Sequence, residues 1–314
     1  PRRQRQMCIR DRRTLISLGL AAYCATLPLA AQAQDAGKML GGLLQNMFKP
    51  NAGGNNSTPA AATNTNDLAS LLSQSMEQID EPKEIEMGRQ LSAVLLGAKP
   101  LYKDVALQRY VNRLGRWISL QSERPNLPWT FAVLDDPGYN AFAAPGGYVF
   151  VTKGLIDSVA DESELAGILA HEIHHVIAKH HLKALRKSAQ TGLLTRAIAS
   201  QLNNNAQGML SAQLLALGRE VYSKGLDQGD EFDADRNGVA LAARAGFDPY
   251  GLVAVLQQLR TAKPDNPAYT LALSTHPATQ TRLDQLEAAM GQRLDALSGK
   301  PSPTVAQRLA RAGN

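Results

Sequence analysis

Cysteine is almost missing from these 314 residues: there are two, Cys8 and Cys24, and both fall inside an N-terminal stretch that reads as a cleaved leader. The rest of the chain has no thiol, so neither a disulfide framework nor a cysteine-ligated metal can hold it together. Aromatic residues are sparse at 5%, while apolar content is ordinary at 44%. That balance excludes disordered and fibrous classes and suits a helix-leaning globular protein. No internal repeat is visible, which argues against an attached helical-repeat domain.

A long membrane-spanning run is also missing. The most apolar stretch, TLISLGLAAYCATLPLA, follows Arg10, Arg12 and Arg13, contains Pro28 and runs into Ala31-Gln32-Ala33. A basic region, a short apolar run and small residues before a cut make residues 1–33 a signal peptide, cleaved before Gln34, rather than an anchor. Arg12-Arg13 hints at twin-arginine export, and a lipoprotein signal is ruled out by Tyr23 before Cys24. Excess charge of one sign disappears with this leader. It holds six of the 33 basic residues and one of the 28 acidic ones, leaving 27 of each. A neutral mature chain gives no reason to expect a nucleic-acid partner.

Residues 34–74 read as a low-complexity extension, with a short apolar patch followed by PNAGGNNSTPAAATNTN. From Glu81 to Gln121, Ile85, Leu91, Val94 and Leu95, then Leu107, Val111, Leu114 and Ile118, space out two amphipathic helices. The period then changes. WTFAVLD, YNAFAA and YVFVT, separated by DPG and PGG, predict a small hairpin-type sheet. Beyond it the chain is helical, with residues 191–217 read as a helical hairpin or lid. The expected class is α+β, mostly helical, with a peptidase-sized domain over 75–297 and a tail over 298–314.

Histidine is scarce too, and very unevenly placed: five of the six lie between His171 and His181. Asp161 and Glu164 resemble a capping-box start for their helix. At about 100° per residue, Leu165, Leu169, Ile173 and Val176 share one face, and His171 and His175 sit together on the other. Two neutral imidazoles one turn apart can converge on one ion, and Glu172 projects beside them toward a water on that ion. This is the HExxH arrangement, which points to zinc, one per chain. His174 is expected to do no more than support the site. A metzincin continuation would need glycine where Ala178 stands, so the helix is expected to run on through Leu185 and carry His180 and His181 out of reach. The third ligand must come from elsewhere. Glu231 and Asp235, one turn apart in DQGDEFDAD, are the favoured source, Glu231 as ligand and Asp235 orienting a ligand histidine. The alternative is an acidic cluster that merely favours a helix start.

LAHEIHHV followed by DEFDADRNG, with NAFAAPGGYVFVTKGLI before and LSTHPATQTRLDQL after, resembles the HExxH and ExxAD metallopeptidases typified by the CAAX prenyl protease, HtpX, BepA and LoiP. The likeness spans roughly residues 80–290. It implies a zincin-like peptidase fold with His171, His175 and Glu231 as zinc ligands, Glu172 as general base and Asp235 orienting a histidine. It implies that His276 lies near the metal, occluding it at rest or steadying the oxyanion. Asn140 and the strand after it match the sheet edge, around 140–151, that receives substrate backbone. The implied function is periplasmic endoproteolysis of unfolded or misassembled envelope proteins. Transmembrane helices, a repeat domain and a lipid-bearing cysteine of other members have no counterpart, so a compact periplasmic form is expected, with peripheral membrane association left open. The rival of another class is a chaperone-like envelope protein with a latent zinc site.

Overall fold

The computed structural model describes residues 79–190, 225–263, 266–276, 278–299 and 301–312. The signal peptide over 1–33, the extension over 34–74 and the hairpin over 191–217 lie outside the described residues.

Two helices open the fold. Helix α1 (Glu81–Ala98) begins where the Asp80 side chain accepts from Lys83 N, with Pro82 in its first turn, and α2 (Val105–Ser119) begins at Asp104 in the same way. Strands β1 (Thr130–Leu134), β2 (Ala141–Ala144) and β3 (Tyr148–Thr152) then form one sheet in the order β1-β3-β2. The hairpin expectation holds for β2 and β3, which pair antiparallel through Phe142 opposite Phe150. It fails for β1, which pairs parallel with β3 through Phe131 opposite Val149. Parallel neighbours need a crossover, and β2 with its flanking turns supplies it. One consequence corrects the predicted substrate edge: β3 is the central strand, so of residues 140–151 only the β2 side is outermost. The turn into β3 depends on glycine at 146, where φ is 76° and a Cβ would lie 2.4 Å from Ile85 Cα.

After the short α3 (Lys153–Ser158) comes α4 (Glu162–Ile177), the histidine helix. Asp161 caps it by accepting from Ser163 N and Glu164 N, and Glu164 reaches back to Ala160 N. Both of its faces are covered. Leu165, Leu169, Ile173 and Val176 join Val111, Ile118, Val133 and Val151 in the main core. The histidine face packs on α6 (Gln228–Arg244), with α7 (Gly251–Thr261) alongside. Helix α8 (Thr270–Thr275) and α9 (Thr279–Met290) complete that side, and α10 (Val305–Ala312) follows a 3-10 turn. Within the stretch expected to be a tail, Arg308 pairs with Glu162 and Ser302 Oγ accepts from Ser163 N, so these residues sit on the start of α4. Among the described residues no helix is long and apolar enough to cross a membrane.

The expected continuation of α4 does not occur. Ala178 ends it, Lys179 adopts a left-handed φ of 56°, and α5 (His180–Gln190) starts anew. Helix propensity alone would carry the chain straight on. Tertiary bonds outweigh it, because the turn puts the Lys179 ammonium 3.0 Å from Glu84, a fully buried carboxylate that also receives Arg124 at 2.8 Å. Burial pushes the Glu84 pKa up, but the two cations hold it below its ordinary value.

The α4–α6 approach depends on Gly238, whose added Cβ would stand 2.9 Å from His171 N. Gly238→Ala should therefore destabilise the protein by about 1–3 kcal/mol in urea or thermal unfolding, despite alanine's better helix propensity. Gly229→Ala, on the same helix with nothing within 4 Å of a Cβ, should be neutral or slightly stabilising. Equal effects at the two positions would show that the close approach is not what matters.

Candidate metal centre

The contact between α4 and α6 brings the predicted residues together. His171 and His175 place their Nε2 atoms 2.9 Å apart. The Glu231 carboxylate, from the first turn of α6, lies 3.7 Å from His171 Nε2 and 3.5 Å from His175 Nε2. His276, at the end of α8, bonds Glu231 Oε2 through Nδ1 at 3.0 Å. One donor atom from each of these four side chains falls within 4.8 Å of the others. His171, His175 and Glu231 are all buried, the latter two at 0% exposure.

The donor set fits a zinc-type ion, and two observations favour one. Two ring nitrogens, from His171 and His175, face each other at hydrogen-bond distance beside the Glu231 carboxylate. Glu231 Oε1 is buried without a hydrogen-bond partner among the described residues, an arrangement that costs about 1–3 kcal/mol unless something cationic satisfies it. The electrostatics agree. Burial, reinforced by neighbouring His171, holds His175 far below its ordinary pKa, so it stays neutral as a ligand must. Burial alone would raise Glu231, yet His276 and Arg282 bring it down to about 2, so it stays anionic.

Behind these ligands stands a layer only partly foreseen. Asp235 Oδ1 lies 3.0 Å from His171 Nδ1, placed to fix that ring with Nε2 facing the cluster. Arg282, 2% exposed, grips Asp235 with Nε and Nη2 at 2.7 and 2.6 Å, and its Nη1 lies 3.1 Å from Glu231 Oε2. Sequence reasoning passed over Arg282, although it lies in the LSTHPATQTRLDQL block. A lone arginine on an amphipathic helix gives no sign that its partner Asp235 sits 47 residues upstream.

The helix does not run straight on as expected, yet neither His180 nor His181 is one of the four donors of the inner cluster. The turn at Lys179 carries them back, so that His180 Nδ1 lies 2.9 Å from His175 Nδ1 and the His181 ring centre lies 5.7 Å from that of His175. Burial, with His180 beside it, lowers His181 to about 3. His174 bonds Asp233 at 2.8 Å, outside the inner cluster.

Glu172 lies beside the cluster with Oε1 3.9 Å from His276 Nε2 and 2% exposure. Burial raises its pKa, against the pull of His276 and His171. An apolar pocket opens at this point, walled by Ile168, Leu252, Val255 and Leu259 and reached by Glu172, His276 and Asn140. The Asn140 carbonyl accepts from Thr152 N at 3.0 Å, while its Nδ2 is buried with no hydrogen-bond partner.

The profile of peptidase family M48 matches residues 105–290. The chain is 29% identical over 236 residues to the beta-barrel assembly-enhancing protease of Yersinia pestis, covering 72% of this chain and 46% of that protein. The protein of the same name from Escherichia coli K12 is 28% identical over 230 residues, again 72% of this chain and 47% of its own length. The mitochondrial metalloendopeptidase OMA1 of Schizosaccharomyces pombe is 31% identical over 189 residues, 60% of this chain and 54% of that one. The chain thus spans about half the length of the curated relatives it matches. With the profile covering more than half of the chain, and the HExxH helix meeting the ExxAD helix at one buried cluster, the chain belongs to peptidase family M48.

Proposed function

We propose that the chain is a zinc-dependent metalloendopeptidase, with a peptidase domain over residues 75–297, one zinc per chain and His171, His175 and Glu231 as the ligands. The observation that carries this is the meeting of those three donors with the Glu172 carboxylate at the mouth of an apolar pocket. A zinc ion bound there supplies a Lewis acid for the scissile carbonyl and lowers the pKa of a water. Glu172 Oε1 takes the proton of the attacking water and delivers it to the leaving amine nitrogen. Its raised pKa suits both halves of that task. Asp235 holds the His171 ring, and Arg282 holds Asp235. His276, which burial would keep neutral but which the Glu231 and Glu172 carboxylates together make cationic more readily than usual, steadies the developing oxyanion.

An extended peptide would lie along the β2 side, with the unsatisfied Asn140 Nδ2 donating to a substrate carbonyl. Backbone-directed recognition reads little sequence, which suits unfolded polypeptides. The relatives from Yersinia pestis and Escherichia coli are named for β-barrel assembly, which supports misassembled β-barrel proteins of the envelope as the class cleaved. The leader-like composition of residues 1–33 supports the periplasm as the place. One observation favours a second reading, a latent site in a chaperone-like protein: His276 stands within the donor cluster, where it can close the position a substrate needs. Casein hydrolysis separates the two. The purified chain should cleave casein, lose that activity to a chelator and recover it with one equivalent of zinc. A zinc-loaded chain that leaves casein intact would favour the latent site.

A further inference from the structure

A second group of donors lies just outside the first: His174 from α4, His180 from α5 and Asp233 from α6. We propose that it is a second, weaker site for a zinc-type divalent cation, and that its occupation opposes that of the inner site.

Geometry and donor chemistry carry the site. Its three ligand atoms fall within 4.8 Å of one another. Asp233 Oδ2 lies 2.8 Å from His174 Nε2 and 3.7 Å from His180 Nε2, with Asp230 Oδ1 also 3.7 Å from His180 Nε2. Two imidazoles and one carboxylate are borderline donors that select zinc, cobalt or nickel over calcium or magnesium. The other oxygen of Asp233 is engaged by Asn237 at 3.0 Å and Arg236 at 3.4 Å, which aims Oδ2 at the histidines. His180 is 4% exposed while the Asp233 side chain is 38% exposed, giving the site a buried wall and an open mouth where water completes the coordination. Asp233 is open to water where Glu231 is fully buried, and screening by solvent makes this outer site the weaker one.

The opposition follows from one contact and rests on the reading of the inner cluster as a zinc site. His175 and His180 face each other through Nδ1 atoms 2.9 Å apart. A neutral imidazole that ligates through Nε2 keeps its proton on Nδ1. The contact has room for one proton. With the inner ion in place, His175 donates there, and His180 carries its own proton on Nε2, toward Asp230 and Asp233. An ion on His180 Nε2 demands the reverse. Both sites fill together only if a buried ring turns and the contact is lost, so each ion weakens the other by the same factor.

The test is calorimetric titration of the metal-free full chain with zinc chloride, beside His174→Gln and Asp233→Asn. Wild type should show two steps, the second at least tenfold weaker, and both variants should keep only the first. Zinc beyond one equivalent should cut casein hydrolysis several-fold in wild type and leave both variants unaffected. A single step in all three proteins, or a second step that survives in both variants, would overturn the site. Two steps of equal affinity in wild type would overturn the opposition. Heats of binding do not require proteolysis, so a chain that takes up two ions without cleaving casein tells against the peptidase reading alone.

Discussion

Glu172→Gln should reduce casein hydrolysis by the metal-loaded chain about 10²–10⁴-fold, the usual worth of a positioned proton acceptor. The amide has the shape of the carboxylate but cannot take a proton from water. None of the cluster donors is altered, so zinc content per chain should stay at the wild-type value. The variant should also be at least as stable as wild type. Burial holds the Glu172 pKa above its ordinary value, which means that the charged form is strained where it sits, and a neutral amide relieves that strain. Lost activity with retained metal and undiminished stability is a pattern that a merely structural carboxylate would not produce. A loaded variant that cleaves casein at more than a tenth of the wild-type rate would remove Glu172 from the mechanism.

The residues that helical spacing alone placed at the site share one property, that their geometry follows from a single helix, whereas His276 and Asn140 came only from the family resemblance. His171 and His175, or Glu231 and Asp235, need only a 3.6-residue period to lie on one face. The start of the histidine helix was legible for the same reason, since Asp161 caps it through Ser163 and Glu164. What escaped notice is set by contacts between distant segments. Local propensity at Ala178 and Lys179 favours more helix, and where the chain turns instead, the Lys179 ammonium meets Glu84, nearly a hundred residues earlier. The parallel pairing of β1 with β3 is likewise invisible in alternation, which reveals strands but not partners. Arg282 was missed because an arginine at the middle of a helix is usually solvated, and nothing nearby in sequence says that it is buried. All three features are set by a partner from another element, a neighbouring strand for β1 and a buried charge for Lys179 and Arg282.

Arg282 is also where the second large effect is expected. Among the described residues, its guanidinium is the one Arg or Lys cation placed against both Asp235 and Glu231, and all three groups are 2% exposed or less. Arg282→Met keeps much of the bulk and removes the charge, leaving two buried carboxylates to be compensated by histidines alone. Breaking a buried pair in this way costs about 3–5 kcal/mol, so the metal-free variant should melt on the order of 10 °C below wild type. Zinc should give back part of the loss, because an ion among His171, His175 and Glu231 takes over one of the two tasks of the guanidinium and stabilises the folded state by binding to it. It cannot take over the other. Asp235 would be left with His171 alone, and a ligand ring held less firmly should weaken zinc binding about 10–100-fold. Asp235→Asn sharpens the test. With the carboxylate neutralised first, loss of the guanidinium should cost measurably less than in wild type, and the difference is the coupling between the two groups. A metal-free Arg282→Met chain that melts within about 2 °C of wild type would show that the two carboxylates need no cation, and the electrostatic argument for metal at this centre would lose its footing with it.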